Sequence, residues 1–387
     1  MNRSLWLLTL CQGLFLTNNV VLIAINGLVG LALAPLPWMA TLPITAYVAG
    51  GALATGLVAR HQRAWGRRRG FQVGLLTVIF AAGLGAVAVL LSSFALLLVA
   101  SLIAGYYNAN GSLYRFAAVE LVPAERKERA ISWVLAGGLM GAFLGPFLAQ
   151  TSRDWLAQPF AGAYVALVVV ALLALLIVSQ IDFPPLPTVD DVDGPARPTA
   201  HIARQPMFIV AVTACALGYG VMNLLMAATP LAMAQHDHPF GHAALVLQWH
   251  VVGMYLPSFF TGNLIQRWGV MPVLVIGLIL NLGCVAVALS GVDLMHFGVA
   301  LFVLGVGWNF LFIGGTALAT QCYRPSERTS AQARVDLWVY STMTLTSFGS
   351  GALVTTGGWT FMNLGTLLPL TALALALFWA WRVRRRN

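Results

Sequence analysis

Few side chains in this sequence can hold or move a charge away from the ends of its apolar runs, and those few bound the chemistry open to it. His250 lies about seven residues inside such a run, roughly 10 Å along a helix rising 1.5 Å per residue. Histidine changes charge between about pH 5 and 8, so His250 is the candidate carrier of a coupling proton. The alternative is a neutral imidazole bonded to a neighbouring helix. Glu120 and Asp336 are the only acids within apolar runs, and Arg115 is the base buried furthest in one. Arg115 and Asp336 each fall roughly 10 Å from the end of their run. A lone charge at that depth is expensive and a partner offsets much of the cost. Asp336, Glu120 on the same helix, or a substrate are the three partners open to Arg115.

Other chemistry is absent. There is no GxxxxGK[ST] phosphate loop, and Lys127 is the only lysine, so ATP does not drive a cycle from this chain. Cys11, Cys215, Cys284 and Cys322 are scattered singly as packing residues, with no ligand spacing. His236, Asp237, His238 and His242 share one loop, but Pro239 and Gly241 break any common face, so a polar loop fits better than a metal site. No cofactor is expected. An intramembrane enzyme needs convergent groups at one depth, and His250 lies at the opposite end of the runs from Glu120 and Asp336. A receptor or scaffold leaves the polar stripes described next without a purpose.

Those stripes are made of amides and aromatics at helical spacing. Gln12, Asn19 and Asn26 fall on one face of the first run. Asn108, Gly111 and Arg115 share a face of the fourth, with Tyr107 beside them. Tyr219 and Asn223 are one turn apart in the seventh. Gln248, Trp249 and His250 stand in the eighth, Trp308 and Asn309 in the tenth, and Asp336, Tyr340 and Ser347 along the eleventh. Polar groups facing lipid are costly, so these residues line either a cavity or helix contacts. As a set they describe a polar, aromatic and nearly uncharged surface, suited to a flat, neutral or weakly charged organic molecule.

The elements that must position them are membrane helices. The 387 residues are 59% hydrophobic and 9% charged, with mean hydropathy +0.83, against about 25% charged in a soluble domain. Continuous apolar runs of about 20 residues match helices crossing the hydrocarbon core; a barrel would alternate polar and apolar residues. The runs are 5–33, 38–59, 70–91, 94–121, 130–150 and 159–181, then 206–228, 243–265, 270–290, 294–320, 331–355 and 357–381. The first is read as a retained helix, since no small-residue cleavage site follows it. The stretch 182–205, rich in Pro and Asp, reads as a solvated linker. With the N-terminus in the cytoplasm, every Lys and Arg except Arg153 and Arg115 falls on the cytoplasmic side, as short loops require. The net charge of +9 therefore marks orientation and not nucleic-acid binding, which would gather the basic residues on one solvated face.

The two halves repeat. Pro123, Glu125 and Arg126 recur as Pro325, Glu327 and Arg328; Thr55 and Gly56 as Thr261 and Gly262; Arg63, Trp65 and Gly66 as Arg267, Trp268 and Gly269; Gly105 to Asn108 as Gly307 to Asn309. The run GNLIQRWG from Gly262 to Gly269 resembles the GxxxDRxG loop of major facilitator transporters, with Gln266 in the place of the acid. Its N-terminal counterpart, Gly56 to Arg69, lacks an acid too, since none precedes Glu120. Gly137, Gly141, Gly145, Pro146 and Ala149 are similar to the GxxxGPxxG motif of that family's drug/proton antiporter branch, although small residues four apart also serve plain helix packing. The stretches 248–250, 257–262 and 307–310 are similar to facilitators described as permeases, vitamin-like solute importers among them.

The resemblance implies an all-α polytopic membrane protein with twelve transmembrane helices in two six-helix bundles. Residues 1–181 and 206–387 would form the bundles, rocking about a mid-membrane site in alternating access, with 182–205 as a slack cytoplasmic tether. It implies that spans four and eleven meet near the cytoplasm, so that Arg115, Glu120 and Asp336 belong to an inner gate. The function expected is secondary active transport of a small organic solute across the inner (plasma) membrane by a monomer, coupled to protons. The span-five motif leans toward efflux; uptake of a vitamin-like or other flat polar metabolite is the alternative.

Overall fold

The computed structural model describes residues 3–36, 39, 42–184 and 197–386. Apolar runs with no external partner for their backbone groups become helices, and no strand occurs among the described residues. The helices are α1 (Arg3–Leu33), α2 (Leu42–Leu90), α3 (Phe94–Gly111), α4 (Tyr114–Glu120), α5 (Lys127–Ala136), α6 (Leu139–Thr151), α7 (Ala161–Val178), α8 (Thr199–Ala203), α9 (Pro206–Gln235), α10 (Phe240–Tyr255), α11 (Ser258–Trp268), α12 (Val270–Ser290), α13 (Leu294–Thr320) and α14 (Arg328–Arg386).

These helices make up the twelve spans. α2 and α14 each carry two, folded where Gly66 (φ 76°) and Gly358 (φ 73°) leave helical geometry. Gly269 (φ 84°) makes the same turn between α11 and α12. A side chain at such a φ clashes with its own backbone, so glycine is required there. The repeated Arg-Trp-Gly element of the sequence is this turn. Conversely α3 and α4, α5 and α6, and α10 and α11 are halves of single spans, interrupted at Ser112, at Gly137 and at Pro257. Pro257 lacks the amide that would continue the ladder.

The chain divides into two compact units. Unit one comprises Met1–Ala124 and Val134–Pro187; unit two comprises Glu125–Trp133 and Thr188–Asn387. In unit one, α1 packs on α6 and α7, and α2 on α3 and α7. The α2–α3 crossing is backbone to backbone: a Cβ on Gly105 would stand 2.5 Å from the Gly50 carbonyl carbon, and one on Gly50 would stand 2.2 Å from the Leu102 oxygen. Unit two repeats this between α10 and α13, where a Cβ on Gly305 would meet the His250 oxygen at 2.5 Å and one on Gly253 the Phe302 oxygen at 2.6 Å. The glycines of the span-five motif are a packing seam against α1: Cβ atoms there would meet the Thr9 oxygen at 2.3 Å (Gly137), the Leu16 carbonyl carbon at 2.7 Å (Gly141) and a Val20 methyl at 2.6 Å (Gly145).

Both ends of the stretch between the halves are tied down. Arg68 donates from Nε and Nη2 to the Ile181 oxygen at 2.9 and 2.7 Å, and from Nη2 to Asp182 at 2.6 Å. At the other end Arg197 grips Glu327, with Nε on Oε1 and Nη2 on Oε2, both at 2.7 Å, and its own amide on Oε1 at 2.8 Å. The Arg324 amide adds a further bond to Oε2 at 2.9 Å. The sequence reads 182–205 as a linker without periodicity. The structure differs at its end, where α8 forms and Ile202 is buried. The Arg197 guanidinium, hydrogen-bonded to Glu327, holds that carboxyl down at about 2, against an ordinary 4.5, and is itself raised by the same contact.

Candidate functional site

Unit one brings two of the sequence-predicted amides together and adds a residue the sequence did not reveal. The Tyr47 hydroxyl, on α2, donates to Asn19 Oδ1 on α1. Asn19 Nδ2 in turn donates to Asn108 Oδ1 on α3, at a long 3.5 Å. Asn19, the middle link of this three-helix chain, is half-buried, with its Oδ1 and Nδ2 both engaged. Tyr107, beside Asn108, is buried with its ring edge-on to Phe15 at 5.3 Å. Asn26 is otherwise engaged: it donates to Ser101 Oγ at 3.2 Å and accepts from the Tyr164 hydroxyl at 2.6 Å, tying α1 to α3 and α7. In the same unit, His61 Nδ1 meets the Tyr106 hydroxyl at 2.7 Å, and its ring stacks on Trp65 at 4.3 Å.

Unit two gathers aromatic rings. Tyr219 on α9 lies edge-on to Trp308 and Phe312 on α13, both at 5.3 Å. Trp308 stacks on Phe312 at 4.9 Å and meets Tyr255 of α10 at 5.7 Å. The Trp308 indole N–H is buried without a partner among the described residues, while Tyr219 is half-buried. Tyr255 escaped the sequence reading because an isolated tyrosine within a run carries no spacing signal.

The remaining candidates separate by what holds them. Asn223 donates to Thr346 at 3.0 Å, Ser347 at 2.9 Å and the Met343 oxygen at 3.3 Å, joining α9 to α14. Asn309 is fully buried. It donates to the Met254 oxygen and to Ser258 Oγ, both at 2.6 Å, and accepts from Thr261 at 2.8 Å, so it spans the break at Pro257. Gln248 and Trp249 are exposed on α10. Tyr340 is buried on α14. His250 is fully buried, with Nδ1 at 2.6 Å from the Leu301 oxygen. A carbonyl only accepts, so Nδ1 carries the proton and the ring clasps α10 to α13.

Glu120 faces Arg67, which directly follows the Gly66 turn. Arg67 donates from Nη2 at 2.7 Å and from Nε at 3.1 and 3.2 Å, and reaches Gln62 at 3.3 Å. The acid missing from the loop after span two is therefore supplied by span four. Arg115 is buried with its guanidinium 4.6 Å over the Phe116 ring, and Asp336 is buried on α14.

The Major Facilitator Superfamily model matches residues 5–254. The chain is similar to the riboflavin transporter RfnT of Brucella anthropi, 38% identical over 375 residues that cover 96% of this chain and 94% of that protein. It is also similar to the uncharacterized MFS-type transporter YddS of Bacillus subtilis, 29% identical over 371 residues, covering 90% and 84%. Among solved structures, the fucose:proton symporter FucP of E. coli superposes with a TM-score of 0.75 at 17% identity over 100% of both chains. The human organic anion transporter MFSD10 gives 0.76 at 13% identity over 97% and 99%.

Proposed function

The chain belongs to the major facilitator superfamily, a multi-pass membrane transporter of a small molecule, and on that premise we propose that it takes up a flat heterocycle of the riboflavin type. The observation that carries this reading is the 38% identity to RfnT over nearly the whole of both chains. The site chemistry supports it. Unit two offers stacked rings with a buried indole N–H, and unit one a hydrogen-bonded chain through the half-buried Asn19. Offset and edge contacts between rings favour a planar aromatic guest, and amides read the imide edge of such a guest without a formal charge.

Efflux has less support. Its sequence argument was the span-five motif, whose glycines have a sufficient role in packing α6 on α1. The cytoplasmic placement of both termini rests on the distribution of arginines, and proton coupling and a monomeric state belong to the same proposal. His250, bonded to a carbonyl in a packed interface, is suited to a structural role; His61 is the histidine that meets a hydroxyl at a half-buried position. A gating role for Arg115 and Asp336 is likewise part of the proposal.

The test is binding and flux with the purified protein. A ligand that binds the folded state raises its apparent stability with concentration. Riboflavin is expected to raise the melting temperature and to enter proteoliposomes against an excess of unlabelled riboflavin inside, and Tyr219→Ala to weaken both at least tenfold. Stabilisation by cationic drugs with none by riboflavin would overturn the reading.

A further inference from the structure

Ser132 lies on α5 within Glu125–Trp133, the short stretch that clusters with unit two while its sequence neighbours cluster with unit one. Its hydroxyl donates to the Ser258 carbonyl oxygen and accepts from the Gly262 amide at 2.9 Å. Those two backbone groups are four residues apart on α11, the spacing at which a regular helix bonds them to each other. One side-chain hydroxyl therefore sits across a single rung of a neighbouring helix.

The approach depends on Gly262. A Cβ there would stand 2.7 Å from the Glu128 oxygen and 2.8 Å from both the Arg129 Cα and the Ser132 Cβ. Two further contacts flank it: Gln266 Nε2 donates to the Glu125 oxygen at 2.6 Å, and the Trp133 and Phe259 rings meet edge to face at 5.6 Å.

We infer that Ser132 is a releasable latch of the transport cycle, a positioning residue whose hydroxyl docks α5 on α11 and can leave without orphaning a polar group. When the stretch lifts away, the Ser258 carbonyl and the Gly262 amide have each other. The serine hydroxyl turns to the carbonyl of Glu128, four residues back on its own helix, as serines in helices do. An unpaired backbone group away from water is costly, and an ion pair at this place would lose its partner on opening. The hydroxyl bridge exchanges one satisfied arrangement for another. A contact made and broken in every cycle needs that property. The inference rests on the chain's being a transporter and is independent of its substrate.

The test measures the separation of α5 from α11 directly. Nitroxides are placed at Arg126→Cys and Asn263→Cys, both exposed, in a chain whose four native cysteines are replaced by alanine, and spin-label distances are read by pulsed resonance. Ser132→Ala is expected to move population from the short to the long distance by roughly two- to tenfold, the worth of one net hydrogen bond. The melting temperature should stay within about 2 °C. Ser132→Val, whose methyls meet Gly262, should remove most of the short population. Hydrogen exchange of 258–268 in the chain with its native cysteines gives a second reading: Ser132→Ala should leave the Gly262 amide protected, because α11 closes its own rung. An unchanged distance distribution, or faster exchange at Gly262 together with a lowered melting temperature, would overturn the latch and make Ser132 a fixed strut.

Discussion

Replacing Glu120 by glutamine removes one charge and almost no volume, so it isolates the electrostatic part of the Arg67–Glu120 contact. The side chains are 2% and 8% exposed, with three donor–acceptor distances between 2.7 and 3.2 Å. Water does not screen a pair so enclosed, and removing one partner of such a pair costs about 3–5 kcal/mol. Glutamine keeps one acceptor oxygen for the guanidinium, so the lower end, about 3 kcal/mol, applies. At about 2–4 °C per kcal/mol for a unit of this size, the purified protein should melt roughly 6–12 °C lower. The double substitution Arg67→Met with Glu120→Leu removes both desolvation costs and should recover at least half of that loss. The assay is thermal unfolding in detergent of the wild type, Glu120→Gln, Arg67→Met, Glu120→Leu and the double variant, the last three read with the wild type as a cycle. A Glu120→Gln shift below 2 °C, or a double variant as unstable as the sum of its singles, would refute the account of a charge held by its partner.

Two further predictions address unit two. Asn309→Leu removes three hydrogen bonds across the break at Pro257, each worth about 0.6 kcal/mol on average within a membrane bundle, so about 2 kcal/mol of stability should be lost on thermal unfolding. The Arg197–Glu327 clamp should be insensitive to pH from neutrality down to the ordinary carboxyl value of 4.5 and weaken as pH falls from there through about 2, since the folded carboxyl is depressed and the unfolded one is not. Hydrogen exchange of 199–203, corrected for intrinsic rates, should be faster in Glu327→Gln at neutral pH and reach that rate in the wild type only within this acid window.

The spans were legible because charges interrupt apolar runs at regular intervals, and the turns at Gly66 and Gly269 because arginine and tryptophan repeat before each glycine. The fate of individual polar residues was not. Asn19, Asn26, Asn223 and Asn309 are the same side chain at similar helical spacing, and all four bond to neighbouring helices, yet Asn26, Asn223 and Asn309 are buried and Asn19 is only half-buried. What separates them is how closely the neighbouring helices cover each amide, and that depends on crossing geometry fixed by contacts such as Gly50 with Gly105. Arg67 and Glu120 likewise meet only once α2 and α4 are in register. Tyr47 and Tyr255 gave no signal because a tyrosine without a matched neighbour reads as packing.

The two anchors on the connecting stretch set a mechanical limit. Asp182 is held by Arg68 and Arg197 by Glu327, so the leash between them reaches about 50 Å when fully extended, whatever path it takes. Releasing the Glu327 end would lengthen it toward Gln205 and lower the effective concentration at which each half meets the other, which falls as a tether grows beyond the span it must bridge. A nick between the anchors would leave both ends fastened to their own units, and reassembly would then depend on the protein's density in the membrane.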